Sequence, residues 1–356
     1  MRKSIQYMVL SLALLIGVGA PQAFAGNEDR SGQAGAAELL INPWAASSGW
    51  GNAGMSFVKG VESIFGNVAG LHGVNTLDVN FTHTDWLKGS GIRISSFGLA
   101  ARVGESSVLG LSLMSFSLGE VMETTTDSPD GGIGTFKPTL MNINLAFAKT
   151  FSNSISGGFN LKIISESIAN MSATGVALDA GIQYVTGPFD NIHFGITLKN
   201  IGPTLKFSGD GLSIKAFLMQ QGSIQHTVIQ RVDQFELPTQ LSIAAAYDWH
   251  VAENQRVTFA GNFISNSFTK DQYVLGVEYG WKEYLMVRAG YTYESGLFKG
   301  AWDEQCMNLN AGLNAGCSVQ IPISKQENAP MFAVDYSFRQ TYHYAGTHCI
   351  GARLIF

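Results

Sequence analysis

From residue 75 to its end the chain alternates apolar and polar residues with a period of two, the pattern of strands with one apolar and one polar face. In 192–199, Ile192, Phe194, Ile196 and Leu198 share one face, and His193, Gly195, Thr197 and Lys199 share the other. In 240–250, Leu241, Ile243, Ala245, Tyr247 and Trp249 oppose Gln240, Ser242, Ala244, Ala246, Asp248 and His250. Tyr273, Leu275, Val277, Tyr279 and Trp281 form the apolar set of 272–281. Val287, Ala289, Tyr291 and Tyr293 do the same in 285–294, against Arg288, Gly290, Thr292 and Glu294. Further strands are predicted over 76–85, 92–103, 107–117, 139–150, 154–164, 176–186, 205–212, 257–263, 331–338 and 347–356, with a weaker one near 307–313. Helical spacing is scarce. Gly187-Pro188 and Val103-Gly104-Glu105 are turns short enough to join antiparallel neighbours.

Such alternation fits a transmembrane barrel, apolar outside and polar inside, or a soluble sandwich of sheets. Composition decides between them. Asp, Glu, Lys and Arg make up only 14% of the chain, and there are 41 glycines. The polar faces carry mostly Gly, Ser, Thr, Asn and Gln, where a sandwich tends to show Lys and Glu to water. Aromatic residues gather at strand ends, where interfacial girdles form. The fold class is therefore all-β, a transmembrane antiparallel β-barrel of about 14 strands, an even count suited to a single-chain bacterial barrel. The alternating end of the chain, closed by Phe356, resembles the assembly signal of outer-membrane proteins. Two polar, glycine-bearing connections, 213–238 and 295–330, are expected to be extracellular loops or lids.

The first 25 residues differ. Arg2 and Lys3 precede an apolar run from Met8 to Ala20, and Ala23-Phe24-Ala25 reads as a cleavage site, so 1–25 is expected to be a signal peptide. No later stretch approaches the roughly 18 to 20 apolar residues of a spanning helix. Without Arg2 and Lys3 the chain has 20 basic and 27 acidic residues, and no basic cluster forms, so a nucleic-acid partner is not expected. Residues 26–74, rich in Gly, Ala and Ser, break the alternation, with a short helix expected over 36–41. They are too apolar for a free tail, so they are expected to form a hatch or plug in the mouth of a barrel spanning 75–356.

Gly49, Gly51 and Gly54 spell G-x-G-x-x-G, but no β-α-β unit surrounds them, and glycines that let backbone lie against a barrel wall are the ordinary explanation. Here the chain also resembles a family. Ala45-Ala46-Ser47-Ser48-Gly49-Trp50-Gly51-Asn52-Ala53-Gly54 and Val61 to Leu71 resemble the N-terminal signature of the PorV/PorQ family, within the wider group of FadL-like barrels. In that group an Asn-Pro-Ala-Gly-Leu motif precedes the first strand; this chain has Asn67-Val68-Ala69-Gly70-Leu71, with Val68 in place of the proline. The resemblance continues through Gly119-Glu120-Val121, Thr124 to Thr126, Gly157 to Lys162, Asp179-Ala180-Gly181 and Leu198 to Pro203. It implies a roughly fourteen-stranded barrel of the bacterial outer membrane with an N-terminal hatch, and a connection to the type IX secretion system.

Catalytic and metal motifs are missing from the sequence. The histidines (His72, His83, His193, His226, His250, His343, His348) make no H-E-x-x-H or H-x-x-x-H pair, and no G-x-S-x-G elbow or P-loop occurs. No cofactor is expected, and an enzymatic role has no support. Cys306 and Cys317 could bridge within one loop or remain two free thiols; Cys349 stands apart. Polar faces name the candidate lumen residues Asn160, Lys162, Asp179, Gln183, His193, Asp248, Asn262, Glu278, Arg288, Asp335 and Arg353, expected to pair across the lumen and hold it closed. Trp44, Trp50, Phe57 and Phe65, with Asn67, are the candidates for an apolar pocket at the hatch. Two functions stay open. One is a barrel that binds a secretion channel or cargo proteins, as the PorV/PorQ resemblance implies. The other is a FadL-like transporter of small hydrophobic molecules such as long-chain fatty acids. Outer-membrane lipid is a partner in either case.

Overall fold

The computed structural model describes residues 26–217, 225–297, 308–324, 329–341 and 344–356. The expected signal peptide lies outside them. In chain order the strands are β1 (Leu77–Trp86), β2 (Ile92–Arg102), β3 (Ser107–Ser117), β4 (Val121–Glu123), β5 (Gly134–Phe136), β6 (Thr139–Ser152), β7 (Ile155–Ile168), β8 (Met171–Thr186) and β9 (Ile192–Ile201). They continue with β10 (Ser213–Phe217), β11 (Gln225–Ile229), β12 (Gln240–Ala252), β13 (Gln255–Asn266), β14 (Gln272–Trp281), β15 (Leu285–Glu294), β16 (Gly312–Pro322), β17 (Met331–Arg339) and β18 (Thr347–Ile355). Fourteen of them close one antiparallel barrel, ordered β1-β18-β17-β16-β15-β14-β13-β12-β9-β8-β7-β6-β3-β2. The other four make two small hairpins, β4 with β5 and β10 with β11, in the connections between barrel strands.

The faces are inverted relative to a water-soluble protein. Apolar side chains point outward, with Leu275 69% exposed and Phe159, Ile182, Ile196 and Ile350 each more than half exposed, while Asn80, Thr84, Asn160 and Asp335 are buried. An apolar surface that continues around a closed barrel is one for hydrocarbon, not water. Trp249 and Trp281 face outward near the short turns, and Tyr273 and Tyr293 near the opposite end. Both ends of the barrel sequence lie at the short-turn end, where Phe356 N donates to Leu77 O. The long connections all leave from the other end.

Three expectations change. Residues 205–212 are no barrel strand: Leu205 makes a single bridge to Phe235, and a short turn follows at Asp210–Leu212, since Gly209 at φ +138° and Gly211 cannot hold a regular ladder. Within 295–330, expected to be a long connection with a weak strand near 307–313, the barrel strand β16 lies later, at Gly312–Pro322, its glycines and asparagine diluting the alternating Leu313, Ala315, Cys317, Val319 and Ile321. Cys317 is thus a free thiol in a strand, not in a loop, and Cys306 lies outside the described residues. Within 213–238 lies the β10–β11 hairpin.

Residues 35–74 pack against the inner wall as a chain of short turns, among them Ala37–Leu40, Ala45–Ser48, Ala53–Ser56, Gly60–Ile64 and Val68–Gly73. Trp44, Val61, Ile64, Val68 and Leu71 bury themselves against Ala100, Val108, Ala146 and Ala148 of the wall. Trp50, Ala53 and Phe57 do so against Ala246, Ala260, Ile264 and Val274. Each large side chain so buried contributes roughly 1.5–3 kcal/mol. Contact is close enough to need missing side chains. A Cβ on Gly290 would stand 2.3 Å from Trp50 O, and one on Gly49 would stand 2.9 Å from Gly316 Cα. The wall opposite the segment is small because the segment fills that volume.

Two predictions follow from this seating. Gly290→Val places methyl groups in the Trp50 backbone, which cannot rotate away; about 2 kcal/mol of overpacking should displace the segment while the barrel stays closed. Protease protection of 26–74 should fall, and the shift between heated and unheated bands on a denaturing gel, the mark of a closed barrel, should persist; unchanged protection would refute the packing. The second concerns Glu38, buried beside Glu166 of β7 with one carboxyl oxygen lacking a partner. Burial first, then the Glu166 charge, pushes its carboxyl up from 4.5 to about 7. A group whose packed-state value is raised favours packing in its protonated form, so seating should weaken as pH climbs from about 4.5 through 7 and level off above. Measured as protease protection against pH, this slope should vanish in Glu38→Gln.

Candidate functional site

The inward charges form a belt near the short-turn end. Arg353 of β18 donates to Asp335 of β17 at 2.7 and 3.0 Å. Asp335 accepts from Ser318 of β16, which accepts from Arg288 of β15. Arg288 also donates to Glu278 of β14, and Glu278 accepts from Arg256 of β13 at 2.8 Å. Arg256 reaches Asp248 of β12 at 3.4 Å, and Asp248 meets His193 Nε2 of β9 at 3.0 Å. Eight consecutive strands are thereby joined. A separate group holds Lys162 Nζ 2.8 Å from Asp179, with Asn160 and the Asn200 backbone N–H also donating to that carboxylate.

These contacts run from each strand to its neighbour, where pairing across the lumen was expected. The lumen centre is instead occupied by the inner segment, and strand neighbours put partners within side-chain reach. Arg256 and Ser318 escaped the sequence reading, although Arg256 sits in phase with Thr258 and Asn262 on the polar face of β13. The segment joins the belt through Glu62, whose carboxylate accepts from Ser47 N at 2.8 Å and Ala46 N at 3.3 Å and lies in the field of Arg353. Val61 N donates to Asp78 of β1.

Of the aromatic candidates, Trp44 and Phe65 border a space of only ≈20 Å³. Trp50 and Phe57 touch edge to face, with centroids 5.2 Å apart, and line a different cavity. The four do not share one pocket. Asn67 is buried and ties the segment to the wall, accepting from Ala69 N and donating to Ile182 O. Gln183 donates to Val58 O and Asn262 to Asn52 O, two more ties of the same kind.

Two larger cavities flank the segment. One, of ≈290 Å³ at the long-loop end, is bordered by Trp86, Phe65, Met55, Asn52, Lys199 and Arg339, with several wall carboxamides. The other, of ≈160 Å³ at the short-turn end, reaches the belt at Glu278, Arg288 and Arg353. Asn52 and Met55 border both. At that point a single turn of backbone separates the two spaces. It is held by Asn42 Nδ2 to Asn52 Oδ1 and by the bond from Asn262. Among the described residues no group of His, Cys, Asp and Glu is arranged to hold a metal ion.

No family model matches the chain, and no curated protein sequence matches it significantly, so the likeness to the PorV/PorQ family rests on the sequence motifs alone. Among solved structures the chain is similar to the toluene transporter TbuX of Ralstonia pickettii, at 12% identity over 88% of this chain and 97% of that one, with a TM-score of 0.52. It is similar to the toluene transporter TodX of Pseudomonas putida at 12% identity, 88% and 98% coverage and a TM-score of 0.50. The monoaromatic hydrocarbon channel CymD gives 14% identity, 88% and 96% coverage and a TM-score of 0.50. At such identities the likeness is one of fold: this chain shares the closed barrel of those proteins along nearly its whole described length.

Proposed function

We propose that the protein passes a small organic molecule through the outer membrane of a bacterium, entering at the long-loop end and leaving past a displaced inner segment. The observation that carries this is the pair of cavities on either side of one turn, both bordered by Asn52 and Met55. Polar-lined space on both sides of one thin turn is what a small molecule needs to enter from one end and leave at the other once that turn moves. Likeness of fold to two toluene transporters and a hydrocarbon channel supports the same reading. The secretion role implied by the PorV/PorQ resemblance draws on motifs alone and gives the cavities no task. In this account residues 26–74 are a hatch, lipid surrounds the apolar wall, and long loops face the exterior.

The hatch can be locked to test it. Ser48 Oγ lies 2.8 Å from Ser337 Oγ of β17, so Ser48→Cys with Ser337→Cys should form a disulfide on oxidation, in a background with Cys306, Cys317 and Cys349 replaced by Ser. In proteoliposomes, uptake of radiolabelled phenyl glucoside and adipate should drop to that of protein-free vesicles when oxidised and recover with reductant. Uptake that never exceeds protein-free vesicles, or that ignores the lock, would sink the transport reading.

A further inference from the structure

In the long-loop half of the lumen, where Glu294 accepts from Gln272 and Glu38 lies beside Glu166, two buried cations have no ion-pair partner among the described residues. Lys199 and Arg339, 3% and 5% exposed, border the ≈290 Å³ cavity. Among the described residues neither forms an ion pair. Lys199 Nζ rests 3.7 Å from the Phe65 ring centroid. Asp179, one strand away, is already taken by Lys162, Asn160 and the Asn200 N–H. Arg339 stacks over Trp86 at 5.1 Å, and its Nε and Nη2 have no hydrogen-bond acceptor. Asn262 Oδ1 and Asn310 Oδ1, on the same cavity, also lack partners.

Contact with a ring recovers only a fraction of what a buried cation loses on leaving water. The remaining deficit is of the kind an anion would answer. Lys199 is on β9 and Arg339 on β17, six steps apart in a ring of fourteen, so they reach into the cavity from nearly opposite walls. The geometry points to a binding site for a compact organic dianion, a dicarboxylate in its simplest form, with one anionic end at Lys199 and the other at Arg339. Phe65 and Trp86 flank its body, and the free carboxamide oxygens accept from any hydroxyl or amide it carries. A neutral hydrocarbon would displace cavity water and leave both cations unanswered. A single-headed alkyl acid would answer one of them. This inference names the cargo class of the transport reading and rests on it for its physiological sense, while binding itself can be measured separately.

The test is calorimetric titration of the full-length protein in detergent with succinate, adipate and terephthalate, against neutral adipamide and single-headed decanoate. At least one dianion should bind, with adipamide and decanoate weaker by about tenfold or more, the loss expected when one charge-assisted contact goes missing. Binding of that dianion should weaken by about tenfold in Lys199→Met and again in Arg339→Met. Each variant is checked for a closed barrel by its heat-dependent gel shift, and the comparison of dianion with diamide on the unaltered protein holds whether or not they fold. Absence of binding by all three dianions, or equal binding of adipamide or decanoate, would overturn the proposal. If a dianion binds and nothing crosses the vesicle wall, transport fails and the site stands. If phenyl glucoside crosses and no dianion binds, transport stands and the site fails.

Discussion

A charge on the inner face of a lipid-embedded strand finds its nearest partners on the strands to its left and right. An isolated buried ion costs several kcal/mol, and breaking a buried pair typically costs about 3–5 kcal/mol. The belt from Arg353 to His193 obeys this constraint strand by strand. It also does something the hydrophobic pattern cannot. Sliding a strand by two residues keeps every apolar side chain on the lipid side, so alternation alone tolerates such a slip. The belt does not, because Glu278 faces Arg288, Ser318 faces Asp335 and Thr258 faces Asp248 in the observed register. A two-residue shift would strand several charges at once. The ion pairs therefore choose among registers that the lipid finds equivalent.

The inner segment depends on the same belt and on the smallness of the wall above it. Glu62 brings a carboxylate into the field of Arg353 and accepts from the backbone N–H groups of Ala46 and Ser47 and from Asn80 Nδ2. Around it, glycine and alanine on the inward faces replace the large side chains that would fill a narrower barrel. Wall and segment are complementary, so neither would be well packed alone. That explains why a stretch with hardly any regular helix is so thoroughly buried: its hydrogen bonds go to wall side chains such as Asp78, Gln183 and Asn262.

Much of this was legible in the chain, and the limits have physical causes. Period-two alternation places Leu275 and Glu278 on opposite faces without reference to any structure, and the acidic and basic members of the belt stand out because charges are rare here. Strand β16 was harder, since two of its inward residues, Gly312 and Gly316, have no side chain to contrast with their neighbours. The hairpin β10–β11 lies outside the membrane wall, where no alternating environment imprints a pattern. The site was legible only in part. Lys199 stands in phase with the polar face of β9, yet nothing in the sequence distinguishes it from Lys162, which is paired. Pairing depends on what lies on the next strand and at what height, and register is a property of the whole ring. Arg339 lies just past the last alternating residue expected for β17, so its inward direction could not be read at all.

The two ends of the lumen thus solve the same problem in opposite ways, and the contrast is informative because both use the same chemistry. At the short-turn end, Arg256 has Asp248, Glu278 and Glu283 within ion-pair distance, more acid than one guanidinium requires. At the long-loop end, two cations face carboxamides and rings. Selection for stability alone favours the first arrangement, since a single carboxylate in place of a wall carboxamide, at Asn262 for instance, would put an anion into the cavity the two cations border. In a chain with five more acidic than basic residues, carboxylates are not scarce. The described lining of the cavity carries no carboxylate, and Glu294 behind it accepts from Gln272 at 3.4 Å, so the two cations are the charged groups that face whatever enters this low-dielectric enclosure, where charge is least screened.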